Sequence, residues 1–184
     1  MKKLLVLLLT IIATSLIAGM YGALHNQVTY SISPEYFTKF KYSQFGFEPA
    51  WFGGHRGTVA AIGFLSSWWA GFIIGAVLGI AGLFHRDWAS MLRWTSKAVS
   101  AIILTALLFG LAGYVYGTFD QAGIQTAIID ESVVDRKSFF VAGVMHNFSY
   151  LGGGFGLFAG TVYLFMRRKE PLKRPPGQTR QKRQ

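Results

Sequence analysis

The sequence predicts an all-α membrane protein with four transmembrane helices, and three observations support this fold class. Hydrophobic residues make up 52% of the 184-residue chain, while charged residues make up only 14%. Four apolar runs reach the roughly 20 residues that a helix needs to cross a bilayer. Lysine and arginine are concentrated in alternate connecting segments, a pattern that sets the orientation of membrane proteins. The absence of cysteine excludes disulfides, thiolate metal sites and thiol catalysis.

The apolar runs predict both the spans and the domain organisation. Backbone groups in hydrocarbon must pair within their own segment, so runs of this length favour helices. A transmembrane barrel would instead show short segments of alternating polarity. We therefore expect a four-helix transmembrane domain over residues 1–166 and a basic, disordered cytoplasmic tail over 167–184. The four expected spans are residues 4–24, 58–84, 98–116 and 139–166.

The first run follows Met1-Lys2-Lys3, which is also how a secretory signal peptide begins. The run is long for a signal peptide, however, and Tyr21 occupies a position where cleavage after Ala23 would need a small residue. The sequence therefore favours an uncleaved membrane anchor.

The distribution of charge predicts the orientation. If the N-terminus is cytoplasmic, thirteen of the eighteen lysines and arginines lie on the cytoplasmic side. The net charge is then +11 inside and −1 outside, which fits the positive-inside rule. We expect a multi-pass protein of the bacterial inner (plasma) membrane with both termini cytoplasmic. The basic tail is expected to attract anionic lipid headgroups, and no nucleic acid partner is expected.

Two glycine triplets predict how the helices pack. Small residues spaced by four let membrane helices approach closely. Each triplet begins 13 residues into its span, and the two spans run in the same direction. We therefore expect the second and fourth helices to pack in parallel through these glycines. The triplets are Gly71, Gly75 and Gly79 in the second span, and Gly152, Gly156 and Gly160 in the fourth.

A weak internal similarity suggests a duplicated helical hairpin. At an offset of 81, Trp69-Ala70-Gly71 aligns with Tyr150-Leu151-Gly152. At an offset of 94, Ile17-Ala18-Gly19 aligns with Leu111-Ala112-Gly113. Two copies of one hairpin would place equivalent residues at equivalent depths.

The outer loop between the first two spans is unusually aromatic. Residues 28–33 alternate in polarity, as a short extended piece does. Ser33-Pro34-Glu35 then predicts a helix start, since serine caps, proline suits the first position and an acid suits the first turn. Tyr36, Phe37 and Phe40 would form one stripe of this helix. We expect an interfacial lid over the bundle or, alternatively, a docking surface for another membrane subunit.

No catalytic residues can be identified from the sequence. The inner halves of the spans contain no Asp, Glu, Lys or Arg, which argues against a pump or an intramembrane protease. No P-loop, HExxH or Gly-x-Ser-x-Gly motif is present. The most plausible cofactor ligands are three outer-side histidines, His25, His55 and His146. Imidazoles could bind a metal ion, haem or a quinone, or they could simply form hydrogen bonds within the bundle. His85, beside Arg86 and Asp87, is expected at the surface.

The outer-loop segment HNQVTYSISPEYFTKF, residues 25–40, resembles a segment of bacterial multi-pass membrane proteins that have no assigned activity. The resemblance implies a bacterial membrane protein and carries no function with it. The residues favour a non-enzymatic accessory or interaction subunit. A metal-, haem- or quinone-binding protein using the histidines is the alternative, and a small channel or transporter is a further one.

Overall fold

The computed structural model of the protein describes residues 1–169, which contain helices and no strand. The all-α fold class is confirmed, and four helices are long and apolar enough to cross a membrane. The predicted tail lies outside the described residues from position 170 onward. The helices are α1 Lys2–Ile32, a π-helix Tyr36–Lys41, α2 Tyr42–Phe45, a 3₁₀ helix Pro49–Phe52, α3 His55–Gly82, α4 Trp88–Phe119, α5 Gln121–Thr126 and α6 Arg136–Arg167.

The long helices begin and end outside the predicted spans, except that α3 ends at Gly82, two residues before the end of its span at 84. α4 begins ten residues before its expected start, because the Asp87 carboxylate caps it by accepting from the Ser90 backbone N–H at 2.8 Å. The extended piece expected at residues 28–33 is wrong, since α1 continues to Ile32 and only Ser33 is extended. Continuing the helix buries Thr29 and brings the ring of Tyr30 against Phe37, so tertiary packing overrides the local alternation.

The four long helices form two antiparallel hairpins. The first hairpin comprises α1 and α3, and the second comprises α4 and α6. Contacts within each hairpin are far more extensive than contacts between the two hairpins. We call the end that carries residues 33–54 and 120–135 the aromatic end. The opposite end, with the N-terminus, residues 83–87 and Arg167, is the basic end.

The expected pairing of the two glycine triplets with each other is wrong. Both triplets do lie at close helix contacts, but each faces its own hairpin partner. A methyl group at Gly71 would collide with the Thr14 carbonyl oxygen of α1. A methyl group at Gly152 would lie 2.7 Å from the Thr105 carbonyl oxygen of α4. The short segment 83–87 joins α3 to α4, yet these two helices contact each other far less than each contacts its hairpin partner. The matched depth of the two triplets therefore reflects the same kind of contact made once in each hairpin.

The two hairpins repeat one set of contacts, which supports the duplication. Gly75 faces the Thr14 hydroxyl, and Gly156 faces the Thr105 hydroxyl in the same way. Equivalent contact residues are 81 positions apart in α3 and α6, as the sequence similarity predicted. In α1 and α4 they are 91 positions apart, whereas the sequence similarity gave 94. Two further contacts recur in both hairpins. The contact of Gly71 with Ala18 corresponds to that of Gly152 with Phe109, and the contact of Gly79 with Leu7 corresponds to that of Gly160 with Ala98.

We predict that Gly152→Ala destabilises the protein while Gly153→Ala does not. A Cβ at Gly152 would lie 2.6 Å from Phe109 Cβ, whereas a Cβ at Gly153 would meet nothing within 4 Å. Forcing the α4–α6 interface apart should cost about 1–3 kcal/mol of unfolding free energy. Thermal unfolding in a mild detergent measures both variants. The two glycines are adjacent in one helix, so equal losses would mean that close approach is not the cause.

Candidate functional site

An apolar cavity of about 230 Å³ lies between the two hairpins. All four long helices line it, for example through Ile17, Ile74, Ile103 and Leu157. Its position follows from the glycine contacts, which hold each hairpin tightly but leave the hairpins less closely packed against each other. The lining residues nearest the aromatic end are polar: Tyr21, Ser67, Ser149 and Tyr150. The cavity is therefore apolar at mid-bundle and polar towards one end.

A polar cluster connects the helices at this end of the cavity. The Tyr21 hydroxyl and the Ser149 hydroxyl are 2.5 Å apart and join α1 to α6. Ser149 Oγ in turn lies 3.4 Å from the Ala106 carbonyl oxygen of α4, to which it can donate. Tyr21 stacks on His25 one helical turn away, with ring centroids 5.7 Å apart. A chain of polar contacts thus runs across both hairpins.

The two histidines within the spans meet in this cluster. The rings of His25 and His146 are perpendicular, with centroids 4.8 Å apart. His146 Nε2 lies 3.0 Å from Asn26 Oδ1, and His146 Nδ1 lies 2.7 Å from the Ala142 carbonyl oxygen. The Asn26 amide nitrogen donates to the Val59 carbonyl oxygen, which fixes the orientation of the amide. Both nitrogens of His146 thus face acceptors, and a neutral ring can donate to only one of them.

His25 has an unsatisfied nitrogen beside the cavity. Its Nε2 is buried and has no hydrogen-bond partner. Leaving such a group unpaired costs about 1–3 kcal/mol, so an unpaired nitrogen calls for a partner. The small space that His25 lines together with Tyr21, Ser149 and His146 measures about 10 Å³. That volume is near the lower limit for one water molecule.

Residues 33–54, which we call the aromatic lid, cover this cluster. Ser33 caps the helical segment by accepting from the Tyr36 backbone N–H at 3.3 Å, as the sequence predicted. Tyr36 stacks on His146 with ring centroids 5.1 Å apart, and Phe37 is completely buried. Phe40, the third residue of the predicted stripe, is 41% exposed. The buried stripe instead continues through Tyr42, because the lid is π-helical over residues 36–41.

A carboxylate fastens the lid to the second hairpin. Glu35 Oε1 accepts from the Val134 backbone N–H at 3.1 Å, and Oε2 accepts from the Asp135 backbone N–H at 2.8 Å. These two hydrogen bonds, at the start of α6, hold the pKa of Glu35 below its usual value. The lid, the histidine pair and the second hairpin are therefore mechanically connected.

The third candidate histidine does not join the other two. His55 is exposed at the start of α3, where its Nδ1 lies 3.1 Å from the Tyr42 hydroxyl and its ring stacks on Tyr42. Among residues 1–169, no group of three or more His, Asp or Glu side chains is placed to hold a metal ion. With both nitrogens of His146 engaged, this arrangement also offers no pair of imidazoles directed at one haem iron.

His85 is buried rather than at the surface as expected. It is 1% exposed in the turn between α3 and α4, and its Nδ1 lies 3.2 Å from the Gly82 carbonyl oxygen. Lys3 covers it by donating to the Leu83 and His85 carbonyl oxygens. Burial lowers the pKa of His85. Lys3 thus ties the start of α1 to the end of α3.

The sequence analysis missed three residues of the cluster. Tyr21 and Ser149 were not singled out, although Tyr21 lies one turn before His25 and Ser149 three residues after His146. Asn26, the residue after His25, was likewise not identified as a site residue. Helical spacing from a histidine was the available signal, but it identifies a face without identifying the facing helix.

No protein-family model matches the chain, and no match was found among curated proteins or solved structures. Functional inference therefore depends on the geometry of the cavity and of the polar cluster.

We predict that acidification loosens the lid through Glu35. Because its folded-state pKa is lowered, the stabilisation it contributes is present above its usual pKa and is lost as pH falls through the lowered value. The protection factors of the Val134 and Asp135 amides, which correct for the pH dependence of intrinsic exchange, should fall below about pH 4. Glu35→Ala should show low protection factors already at neutral pH. Glu48→Ala, which removes an exposed carboxylate of the same segment, should exchange as the wild type does.

We predict that Asn26→Leu destabilises the protein by about 1–3 kcal/mol, because it removes the buried contact with His146 and the hydrogen bond from the Asn26 amide nitrogen to the Val59 carbonyl oxygen. The matched control is Asn147→Leu, which changes an exposed asparagine on α6 next to His146. Thermal unfolding in detergent should separate the two variants. Similar melting temperatures for both would contradict the assigned contact.

Proposed function

We propose that the protein is a non-enzymatic membrane protein that binds a neutral, lipid-soluble molecule between its two hairpins, and that this molecule belongs to the quinone class. The supporting observation is the buried, unpartnered Nε2 of His25, a residue that lines the small polar space next to Tyr21 and Ser149, two lining residues of the apolar cavity. A ligand carbonyl there would accept a hydrogen bond from the imidazole. The proposal develops the ligand-binding alternative that the histidines suggested.

The polar groups around the cavity favour a neutral head group. Hydroxyl groups line its polar end, the imidazoles of His25 and His146 line the adjoining small space, and no Asp, Glu, Lys or Arg lines either space. A phosphate or carboxylate buried there would lack a counter-charge, which is unfavourable at low dielectric. Carbonyl oxygens on an apolar ring need only hydrogen-bond donors. Such donors are available from the Tyr21–Ser149 pair and from His25.

The available space suits a ring with an apolar tail. A second apolar space of about 620 Å³ runs along α1 and α4, and it shares Ile17, Tyr21 and Ile103 with the cavity. His25 borders this second space as well. Pockets that bind small organic ligands in proteins typically measure about 300–1,000 Å³. This second space offers a path for the apolar tail of a ligand from the lipid to the polar cluster.

A second candidate is an accessory or interaction subunit of a larger membrane assembly. It is favoured by the apolar side chains exposed at the aromatic end, where Trp51 is 59% exposed and Val134 is 90% exposed. Large apolar side chains clustered at a surface mark interaction sites. A ligand-binding subunit can serve both roles. The lining of the cavity contains no charged side chain to attract an ion, which favours either candidate over a channel.

We further propose that the protein lies in the bacterial inner membrane with both termini in the cytoplasm. Lys2, Arg86, Arg93, Lys97 and Arg167 gather at the basic end, while most acidic residues lie at the aromatic end. The positive-inside rule places the basic end in the cytoplasm. Reporter fusions to each terminus and to residue 128 in the exposed 120–135 loop would test this orientation.

We predict that His25→Phe weakens quinone binding by about tenfold, the value of one hydrogen bond. Ubiquinone-1 would be titrated into the detergent-purified protein and followed by isothermal calorimetry. Phenylalanine keeps the stacking on Tyr21 and removes the unpaired nitrogen, so this variant should bind less tightly while remaining at least as stable. His55→Phe, at the exposed histidine, is the control and should bind as the wild type does.

The variant Gly153→Leu tests the cavity independently of the histidine. Gly153 lines the cavity and has open space around it, so leucine should fill the cavity without disturbing the helix contacts. We expect this variant to fold and to lose ubiquinone-1 binding. Binding that is unchanged in both Gly153→Leu and His25→Phe would overturn the proposed site.

A further inference from the structure

Gly110 is a buried glycine of α4 whose position helix packing does not require. A Cβ at Gly113 would lie 2.7 Å from Phe148 Cβ, and one at Gly117 would lie 3.2 Å from Val141 Cα, so both of these positions depend on the close approach that glycine allows. At Gly110 the nearest heavy atom would be 3.5 Å away, an ordinary van der Waals distance. Alanine would fit there and would favour the helix more than glycine does. Close helix contacts therefore do not account for glycine at position 110.

The Cα of Gly110 faces the polar cluster. A Cβ there would lie 3.5 Å from His25 Cε1, 3.6 Å from Ser149 Cβ and 3.8 Å from Ser149 Oγ. Cε1 is bonded to Nε2, the nitrogen of His25 that has no hydrogen-bond partner. Glycine at this position therefore leaves room next to the part of the imidazole that carries the unpaired nitrogen.

This room adjoins the second apolar space, the one of about 620 Å³ along α1 and α4. Gly110 and His25 both line that space. The large apolar side chains that line it and are more than half exposed are Leu16, Met20, Leu24 and Val28 of α1, with Leu107 and Leu111 of α4. In a membrane, exposed apolar side chains of spanning helices contact lipid. The second apolar space thus has lipid on one side and the unpaired nitrogen of His25 on the other.

We propose that Gly110 determines which ligands reach His25, and that the ligand is a quinone with a prenyl tail. This inference rests on the proposed function and specifies how the same site selects its ligand. The flat ring lies against the backbone of Gly110, and one ring carbonyl accepts a hydrogen bond from His25 Nε2. The tail lies in the second apolar space. An acyl chain of a membrane lipid could contact the same apolar side chains, but it offers His25 no acceptor.

The test compares binding of ubiquinone-1 to the full-length, detergent-purified wild type and to two variants at position 110 by isothermal calorimetry. Gly110→Ala should melt no lower than the wild type, because the methyl group fits. It should bind about tenfold more weakly, because the methyl group separates the ring from His25 and removes one hydrogen bond. Gly110→Val should bind more weakly still, and Gly110→Ala decides the question if valine disturbs the fold. The control is Ala112→Val, which adds bulk at an exposed position of the same helix and should bind as the wild type does.

A matched pair of leucines tests the place of the tail. Leu107 lines the second apolar space and is 52% exposed, whereas Leu108 is 54% exposed and is not among the residues that line this space. Leu107→Ala should bind ubiquinone-1 about threefold more weakly, because the prenyl unit loses packing contacts. It should bind ubiquinone-0, which has no prenyl unit, as the wild type does. Leu108→Ala should bind both quinones as the wild type does.

The outcomes separate this inference from the proposed function. Suppose that the wild type binds ubiquinone-1 and that His25→Phe weakens this binding, so that the proposed function stands. Equal affinity of the wild type and Gly110→Ala would then overturn the role of Gly110. Equal affinity of the wild type for ubiquinone-0 and ubiquinone-1 would overturn the place assigned to the tail. A wild type that binds neither quinone would overturn the inference together with the proposed function.

Discussion

The close backbone contact inside each hairpin is the constraint on which the rest of the structure depends. Lipid offers little drive for apolar helices to associate, so they hold together where backbones approach closely. Gly71 against Thr14 and Gly152 against Thr105 are the repeated form of that approach. Each hairpin is thereby a tight unit, and larger side chains meet between the two units. The cavity between the hairpins is a consequence of this difference in packing: a methyl group at Gly71 or Gly152 would collide with the partner helix, while Gly153 faces open space.

The closer packing within the hairpins than between them also explains the position of the polar cluster. Polar groups in an apolar surrounding must find partners within the protein, and those on different hairpins can do so only across the looser interface. Tyr21 bridges to Ser149 there, and Asn26 bridges to His146. His25 is the member left with an unpaired nitrogen. The lid adds a second connection, since Tyr36 lies on His146 while Glu35 next to it holds the start of α6. Protonation of the Glu35 carboxylate can therefore affect the buried His146 ring, because Tyr36 connects the two.

Hydropathy and charge predicted the four long helices because length and composition alone determine whether a segment suits a bilayer. They did not predict how far the helices continue past the spans, since the first turns of α4, which contain Arg93 and Lys97, are polar yet helical. The glycine spacing correctly identified which helix faces make close contact. It could not identify the partner, because spacing describes one helix and association depends on two. The histidines appeared equivalent in sequence. Their separation into a buried pair and the exposed His55 depends on helix phase and on how the hairpins meet.

Charged side chains lie towards the ends of the bundle and neutral side chains lie in its interior, and this distribution limits what each region can bind. The polar cluster in the interior contains hydroxyl, amide and imidazole groups and no charged partner for an anion. It therefore suits a carbonyl or hydroxyl group more than an anion. The basic end holds its cations over Trp94, in contact with the apolar cluster beneath the ring. The proposed ligand site in the interior therefore suits a neutral molecule, and its separation from the cations of the basic end follows from the cost of burying charge.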